Sequence, residues 1–516
     1  MFKNYRLLLV LAVYATCFAL LYPHYQYIFD DDGIGYLSVT KHLANGDFYN
    51  GTNGFWSPLH SWLVVPLYKA GLNEFFAFRL SNGLIGLGIL LVMNRLCRKL
   101  LIDGGLRTAT LLVCIPIILS FAFQDLAADI LLVLCLLIYT DLITEKDFFE
   151  NRWKNILCGL IGCLSYLAKT YAFPFFMIHF AAIQFIHYRQ SALLQRKTLL
   201  LRNIMLGVTS CLLLALPWII ILYNKYHVVT FGLASKINYM SVLFPAQSPA
   251  KDLIIVPPAP LSCFWENPYY QVLALERTNY PSMLSLQVFI KQLRILLNTF
   301  MVALQNFHTL SFLSSAIIGI QAFWLLKRRN TTLTSIFFVI TILPLGYLLI
   351  HIETRFIWVT AFLLLVSGIV LMKELLSYVR FTKLVLLVCW SIFFGSFLIY
   401  PVNYLKDSAG AGKSLFMLAD ELKAQSVKGR FLSDINGYSL TRRLAYLTGN
   451  TECIQTTNNY TYDQLLTAAR ATGIDYFFFQ YNFPYELEAF KNSAFYKGAI
   501  GEIPVQFPNL MILKMK

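Results

Sequence analysis

Apolar stretches of about twenty residues recur along the chain, near residues 6–22, 76–94, 107–122, 126–143, 155–168, 173–188, 203–223, 309–326, 332–350, 356–372 and 384–400. A helix of that length crosses a hydrocarbon core of roughly 30 Å, so the pattern predicts an all-α polytopic protein with about eleven transmembrane helices. Between the first two stretches the period changes. "GYLSVTKHLANG" and "PLHSWLVVPLYKAGL" alternate apolar and polar positions at helical spacing and end in glycine, which predicts two amphipathic helices along the membrane surface in a loop spanning 23–75. A second long connection, 224–308, is proline-rich in its middle. It closes with the amphipathic "LQVFIKQLRILLNTFMVALQNF", either a surface helix or the approach to the next span.

After Pro401 the pattern changes again. "SLFMLADELKAQ" and "YTYDQLLTAARATG" read as helices, and "GRFLSD", "DYFFFQ" and "LMILKM" as short buried strands. Their alternation predicts a small α/β domain. The expected organisation is a membrane domain over 1–401 and a soluble α/β domain over 402–516.

Composition supports the membrane class. Of the 516 residues 57% are hydrophobic and 13% charged, against roughly 25% charged in soluble domains. Mean hydropathy is +0.59. A net charge of +15 raises the question of nucleic acid, but its distribution answers otherwise. Basic residues gather in alternate connections, Arg95, Arg98, Lys99 and Arg107 in one and Arg189, Arg196, Lys197 and Arg202 in another, and thin out in the rest. This is the positive-inside rule with a cytoplasmic N-terminus. The basicity sets topology and meets anionic lipid, and no nucleic-acid partner is expected. An odd number of spans then puts the C-terminal domain outside.

The first span has the basic start of a signal peptide, but "LYPHYQYIFDDD" offers no small-residue cleavage site and the span is expected to stay. Most cysteines fall inside spans as small apolar residues. Cys263 and Cys453 alone lie in outer segments, as one disulfide or two free thiols.

On this topology Asp31, Asp32, Asp125, Asp129, Lys169, His351, Glu353 and Arg355, from five places in the sequence, fall near one outer membrane boundary. Ionisable groups at that depth face a protein interior or an aqueous cleft. A carboxylate there accepts a proton from an attacking hydroxyl, and a lysine and an arginine hold a phosphate. Acid and base half in the membrane suit a substrate with an apolar tail and a phosphorylated head, such as a polyprenyl-phosphate sugar. Asp31 has a rival reading as a helix cap, Lys169 and Arg355 as interfacial snorkelling cations. Trp56, Trp62 and Tyr36 serve equally as interfacial aromatics or sugar platforms. Consecutive aspartates do not readily aim three carboxylates at one ion, so no metal ligands are assigned, and a divalent cation is left open.

Asp31-Asp32, the helix ending L-A-x-G, and "GFWSPLHSW" resemble the first loop of the C-type (GT-C) membrane glycosyltransferases, in a bacterial branch near arabinofuranosyl-, aminoarabinose and protein O-mannosyltransferases. The resemblance implies a polyprenyl-linked sugar donor, an acceptor that is a glycan, lipid or protein, and Asp31 as catalytic base with Asp32 beside it. It also implies a bacterial inner-membrane setting. "YLAKTYAFP" and "HIETRFIWVT" resemble stretches that place Lys169 and Arg355 on the donor phosphate with His351 nearby, and "SFAFQDLAAD" sits where the family carries an acid, Asp125; Glu353, Trp56 and His60 are further candidate substrate contacts. Two positions depart from the pattern. Ser57 stands where aminoarabinose transferases carry a lysine, and Thr170 where they carry glycine.

The activity so implied is an inverting glycosyltransferase needing only a base. A flippase for lipid-linked sugars would want polar residues deep in the spans or an inverted repeat, and the sequence has neither. A ligase or polymerase using a polyprenyl diphosphate would share the fold class. A structural scaffold has no reason to place acids and bases on tight outer turns.

Overall fold

A computed structural model describes residues 5–191, 195–243, 253–257, 285–328, 330–378, 382–434, 437–455 and 460–515. The chain divides into two units. One comprises Met1–Gln26, Trp56–Leu243 and Tyr280–Ala409, and the other Tyr27–Phe55, Phe244–Asn279 and Gly410–Lys516.

The first unit is helical. Several of its helices begin on polar caps that satisfy first-turn N–H groups: Asn73 on Phe75, Asp103 on Leu106, Asn151 on Trp153 and Lys154, Ser285 on Val288, and Asn330 on Leu333. Among the described residues seven helices are long and apolar enough to cross a membrane: Tyr5–Tyr25, Glu74–Lys99, Gly104–Gln124, Arg196–Tyr226, Leu286–Leu310, Thr331–Leu349 and Thr354–Ser377. A pair broken after Ser396 and bent by 47° makes up to eight. The protein is an integral membrane protein.

All eleven expected stretches are helical, and seven or more of the helices are long and apolar enough to cross a membrane. Asp129–Ile143, Arg152–Ala168 and Ser314–Lys327 are shorter, with 15, 17 and 14 residues. Asp129–Ile143 is buried almost all round, packed against Glu74–Lys99 and Arg152–Ala168, so its hydrophobicity serves a protein core. The amphipathic stretch left open at 286–307 is the long helix Leu286–Leu310, one of the seven. Part of the basic charge is bound to protein: Lys99 Nζ lies 2.6 Å from both Asp141 and Glu145, and Arg95 lies 2.8 Å from Asp141.

The second unit holds a five-stranded mixed sheet. Its strands are β1 (Arg430–Ser433), β2 (Thr451–Glu452), β3 (Tyr476–Gln480), β4 (Gly501–Ile503) and β5 (Leu510–Lys514), in the order β2-β1-β3-β5-β4. β1 pairs in parallel with β2 and β3 through helices Tyr438–Thr448 and Tyr462–Thr472, and β5 runs antiparallel to both neighbours. "YTYDQLLTAARATG" folds as expected because Thr461 and Gln464 cap one another and Gly473 ends the helix at φ +68. The core joins Leu432, Leu465, Phe477, Phe479, Phe490 and Leu513.

Two segments extend the sequence reading of this unit. Residues 27–55 of the first loop belong to it, and Gly33–Thr40 of helix Asp31–Ala44 are buried, packed partly on helix Tyr438–Thr448. From the long connection, Ile254–Ile255 pairs antiparallel with Ile454–Gln455, where irregular chain was expected. Cys263 lies outside the described residues, and Cys453 is a buried thiol whose ionisation burial pushes up to about 12.

Phe490 is fully buried and stacks on Phe479 with ring centres 3.9 Å apart. Phe490→Ala should therefore cost about 3–5 kcal/mol, read as a lower unfolding midpoint of the C-terminal sheet by near-ultraviolet circular dichroism.

Candidate active site

In the helical unit the expected charged residues meet at helix ends. Helix Gly104–Gln124 stops at Asp125, and Asp129 starts the next helix. The turn is held from below by Arg79 and Asn82, both buried in helix Glu74–Lys99. Arg79 Nη1 donates to the carbonyls of Ala122 (2.7 Å) and Asp125 (3.2 Å), and Asn82 Nδ2 donates to the same two at 3.2 and 3.0 Å. These donors satisfy carbonyls that the helix end leaves without partners.

Lys169, at the end of helix Arg152–Ala168, reaches Asp129 and forms an ion pair with it. Arg355 lies on the 3₁₀ turn Thr354–Ile357. Its Nε donates to Glu353 Oε2 at 2.6 Å, and its Nη1 stands 3.6 Å from Asp125 and 4.0 Å from Asp129. His351 Nε2 is 3.4 Å from Glu353. Phe356 lies against both cations, 4.2 Å from Lys169 Nζ and 5.5 Å from Arg355, and Tyr347 stacks on it at 4.6 Å.

Exposure grades across the cluster, from an Asp129 side chain 2% exposed to Glu353 at 45%. Burial pushes the Glu353 carboxyl up, but the hydrogen bond from His351 and the charge of Arg355 outweigh it and hold the group down at about 2. The sequence brought six of these residues to one boundary. It missed the roles of Arg79 and Asn82, whose signal is a polar pair one turn apart inside an apolar helix.

Asp31 and Asp32 lie in the second unit. The cap of helix Asp31–Ala44 is Asp30, whose Oδ1 accepts from Gly33 N at 2.8 Å, so Asp31 is not the capping residue. Asp31 Oδ1 accepts from Ser439 Oγ at 2.8 Å, and Oδ2 stands 4.0 Å from Arg442 Nη1. Asp32 follows in the first turn, half-buried, where a helix N-terminus favours acids. Arg442 donates from Nε to Glu452 Oε2 at 2.9 Å. Ser439, Arg442 and Glu452 lie more than 400 residues from Asp31, and no local pattern marks them.

No family model and no curated protein matches the sequence. Solved structures do. The chain superposes on ArnT from Cupriavidus metallidurans bound to undecaprenyl phosphate with a TM-score of 0.55 at 11% identity, covering 100% of this chain and 98% of that one. The apo state of the same ArnT gives 0.54 at 10% identity, covering 99% and 98%. The archaeal oligosaccharyltransferase AglB from Archaeoglobus fulgidus, in complex with an inhibitory peptide and a dolichol-phosphate, gives 0.52 at 12%, covering 93% and 70%. The chain has the GT-C fold.

Within the GT-C fold the two departures from the family pattern touch each other. Ser57 Oγ lies 3.1 Å from Thr170 Oγ1, next to Lys169. The hydroxyl pair thus occupies the place where relatives are expected to have a lysine and a glycine. Gly232, at φ +152, fits against Thr170, and a Cβ there would come within 2.7 Å of the threonine side chain. Trp56 is buried, and Trp62 meets Trp218 edge-on at 5.6 Å. Tyr36 is buried in helix Asp31–Ala44. His60 is fully buried edge-on to Phe78, and burial pushes its imidazole down to about 4, so it stays neutral within the packing. Among the described residues no group of three or more His, Cys, Asp or Glu side chains converges as a metal site.

Two outcomes follow from this geometry. Arg79→Met leaves two buried carbonyls short of a charged donor and should cost about 3 kcal/mol or more, since hydrogen bonds to charged groups contribute about 1.5–3 each. A thermal melt in detergent measures it. Glu353 ionises more readily folded than unfolded, so its contribution is present above its ordinary value of 4.5 and is lost as pH falls toward about 2. Melts of Glu353→Gln across that window should show a smaller acid-induced drop than those of the wild type.

Proposed function

We propose that the protein is an inverting glycosyltransferase that moves a sugar from a polyprenyl-phosphate donor to an acceptor hydroxyl at the outer face of a membrane. The observation that carries the reading is the Asp31 carboxylate. Asp30 performs the capping, Ser439 anchors one oxygen of Asp31, and no described residue hydrogen-bonds the other. A fixed carboxylate with one open oxygen suits a general base. The GT-C fold supports the donor class, since relatives of that fold are held with undecaprenyl phosphate and dolichol-phosphate.

In this reading the acceptor oxygen attacks the anomeric carbon as its proton passes to Asp31, with Asp32 beside it. The bond from the anomeric carbon to the phosphate oxygen breaks, and the electron pair leaves on the polyprenyl phosphate. One displacement inverts the configuration. Lys169 and Arg355 neutralise the departing phosphate, and Phe356 keeps both cations against an apolar wall. Asp125 and Asp129 orient the two cations, Glu353 and His351 form the open rim, and Trp56 lies near the Ser57–Thr170 pair. A cytoplasmic N-terminus, an extracytoplasmic C-terminal domain and a bacterial inner membrane complete the proposal. The similarity to an oligosaccharyltransferase favours as second reading the transfer of a whole glycan from a polyprenyl diphosphate.

The test is transfer from a panel of radiolabelled polyprenyl-phosphate and polyprenyl-diphosphate sugars in membranes carrying the protein. Asp31→Asn should lower the rate by about 10²-fold or more, at unchanged expression. Lys169→Ala and Arg355→Ala should raise the donor KM by about tenfold or more each, the scale of a lost charge-assisted contact. Full activity of Asp31→Asn would sink the assignment of the base, and transfer from diphosphate donors alone would select the second reading.

A further inference from the structure

Helix Tyr438–Thr448 carries both side chains that meet Asp31. Ser439 and Arg442 are three residues apart and so share one helix face. Ser439 Oγ donates to Asp31 Oδ1 at 2.8 Å, which stops the carboxylate from rotating. Arg442 Nη1, at 4.0 Å from Oδ2, is too far for a hydrogen bond. It brings positive charge beside the carboxylate without occupying the lone pairs that would take a proton.

Arg442 itself is fixed. Its side chain is 3% exposed, its Nε is bonded to Glu452, and its guanidinium lies over the Tyr438 ring at 4.2 Å while also bonding the Tyr438 hydroxyl. Glu452 sits on β2, paired in register with Phe431 of β1, so the sheet sets its position. Its other carboxylate oxygen, Oε1, is buried without a hydrogen-bond partner among the described residues. A buried, half-satisfied carboxylate is costly unless it holds something in place.

We propose that Ser439 and Arg442 are positioning residues for the Asp31 carboxylate, and that Glu452 fixes Arg442 for that task. The inference rests on Asp31 being the base. It makes the C-terminal domain part of the transfer machinery rather than a cover.

The titration of Glu452 supplies a signature. Burial raises its carboxyl to about 7, with the charge of Arg442 pulling it down and that of Asp31 pushing it up. Among the described residues these two are the charged groups that act on it; the Tyr438 hydroxyl bonds Arg442, and Cys453, the next residue in the chain, remains a thiol. Above that pH the ionised Glu452 shares the charge of Arg442. Below it, a neutral Glu452 leaves that charge directed at Asp31, which draws Oδ2 away from the acceptor. Transfer therefore slows as pH falls through about 7.

The experiment compares kcat, donor KM and pH profiles of purified full-length protein in proteoliposomes, using the polyprenyl-phosphate sugar from which the wild type transfers. Ser439→Ala and Arg442→Gln should lower kcat about tenfold with donor KM unchanged, the cost of a misaligned base. Ser439→Thr, which keeps the hydroxyl, should recover most of the loss. Glu452→Gln should remove the wild type's fall in kcat between about pH 8 and about pH 6, because the amide does not titrate. Wild-type kcat in both Ser439→Ala and Arg442→Gln, beside an inactive Asp31→Asn, overturns the positioning role and leaves the base standing. Full activity of Asp31→Asn, or a wild type inactive on every donor, overturns both. If Arg442→Gln does not fold, Ser439→Ala at a half-buried site decides alone.

Discussion

Arg79 is a guanidinium placed inside a helix of an apolar bundle, and much of the cluster above it depends on that placement. A helix ending inside protein leaves carbonyls that need donors, and hydrocarbon supplies none. Arg79 and Asn82 give four hydrogen bonds to two such carbonyls, Ala122 and Asp125. The chain can therefore stop one helix at Gln124, turn within four residues and begin the next at Asp129. Without that anchor Asp125 and Asp129 would have no common origin, and the two cations would have no fixed acids to meet.

The cluster built on this anchor has a consistent electrostatic order. Its most buried acid, Asp129, is paired with Lys169, while the most exposed, Glu353, is reached by Arg355 and His351. Desolvation makes an unpaired charge costlier with depth, so the strongest pairing belongs at the bottom. Phe356 lines the cations with an aromatic face, which attracts them while keeping water out of their flank. The Ser57–Thr170 pair, whose threonine is next to Lys169 in the chain, adds hydroxyls and no charge. With a hydroxyl where relatives are expected to carry a lysine, the positive charge beside Asp129 comes from Lys169 and Arg355.

The sequence revealed these features unevenly, for physical reasons. Apolar runs are a local signal, so every expected helix exists. Apolarity did not show how each helix is packed: Asp129–Ile143 is the more apolar of the two yet far shorter than Glu74–Lys99, and it is buried almost all round. The strands holding Leu432, Phe478 and Ile512 were legible as short apolar runs between turns. Helix Tyr438–Thr448 was not, because it is polar on average and its amphipathic face carries two arginines. The acid–base boundary emerged by placing charges on a topology, which needs only the order of the spans. Arg79 and Arg442 could not emerge that way, since each meets a residue dozens to hundreds of positions away.

The run Asp30-Asp31-Asp32 shows how one short sequence divides its work. All three carboxylates stand where the N-terminus of a helix favours negative charge. Only the residue before the first turn has the extended backbone that lets its side chain fold back, and Asp30 has it, at φ −113 and ψ −176. With capping settled there, Asp31 projects from the helix start and meets Ser439 and Arg442 instead of its own backbone. A single aspartate would have been drawn into capping, because a carboxylate bonded to an N–H of the first turn is the cheaper arrangement. The tandem run thus separates the acid that builds the helix from the acid that the helix presents.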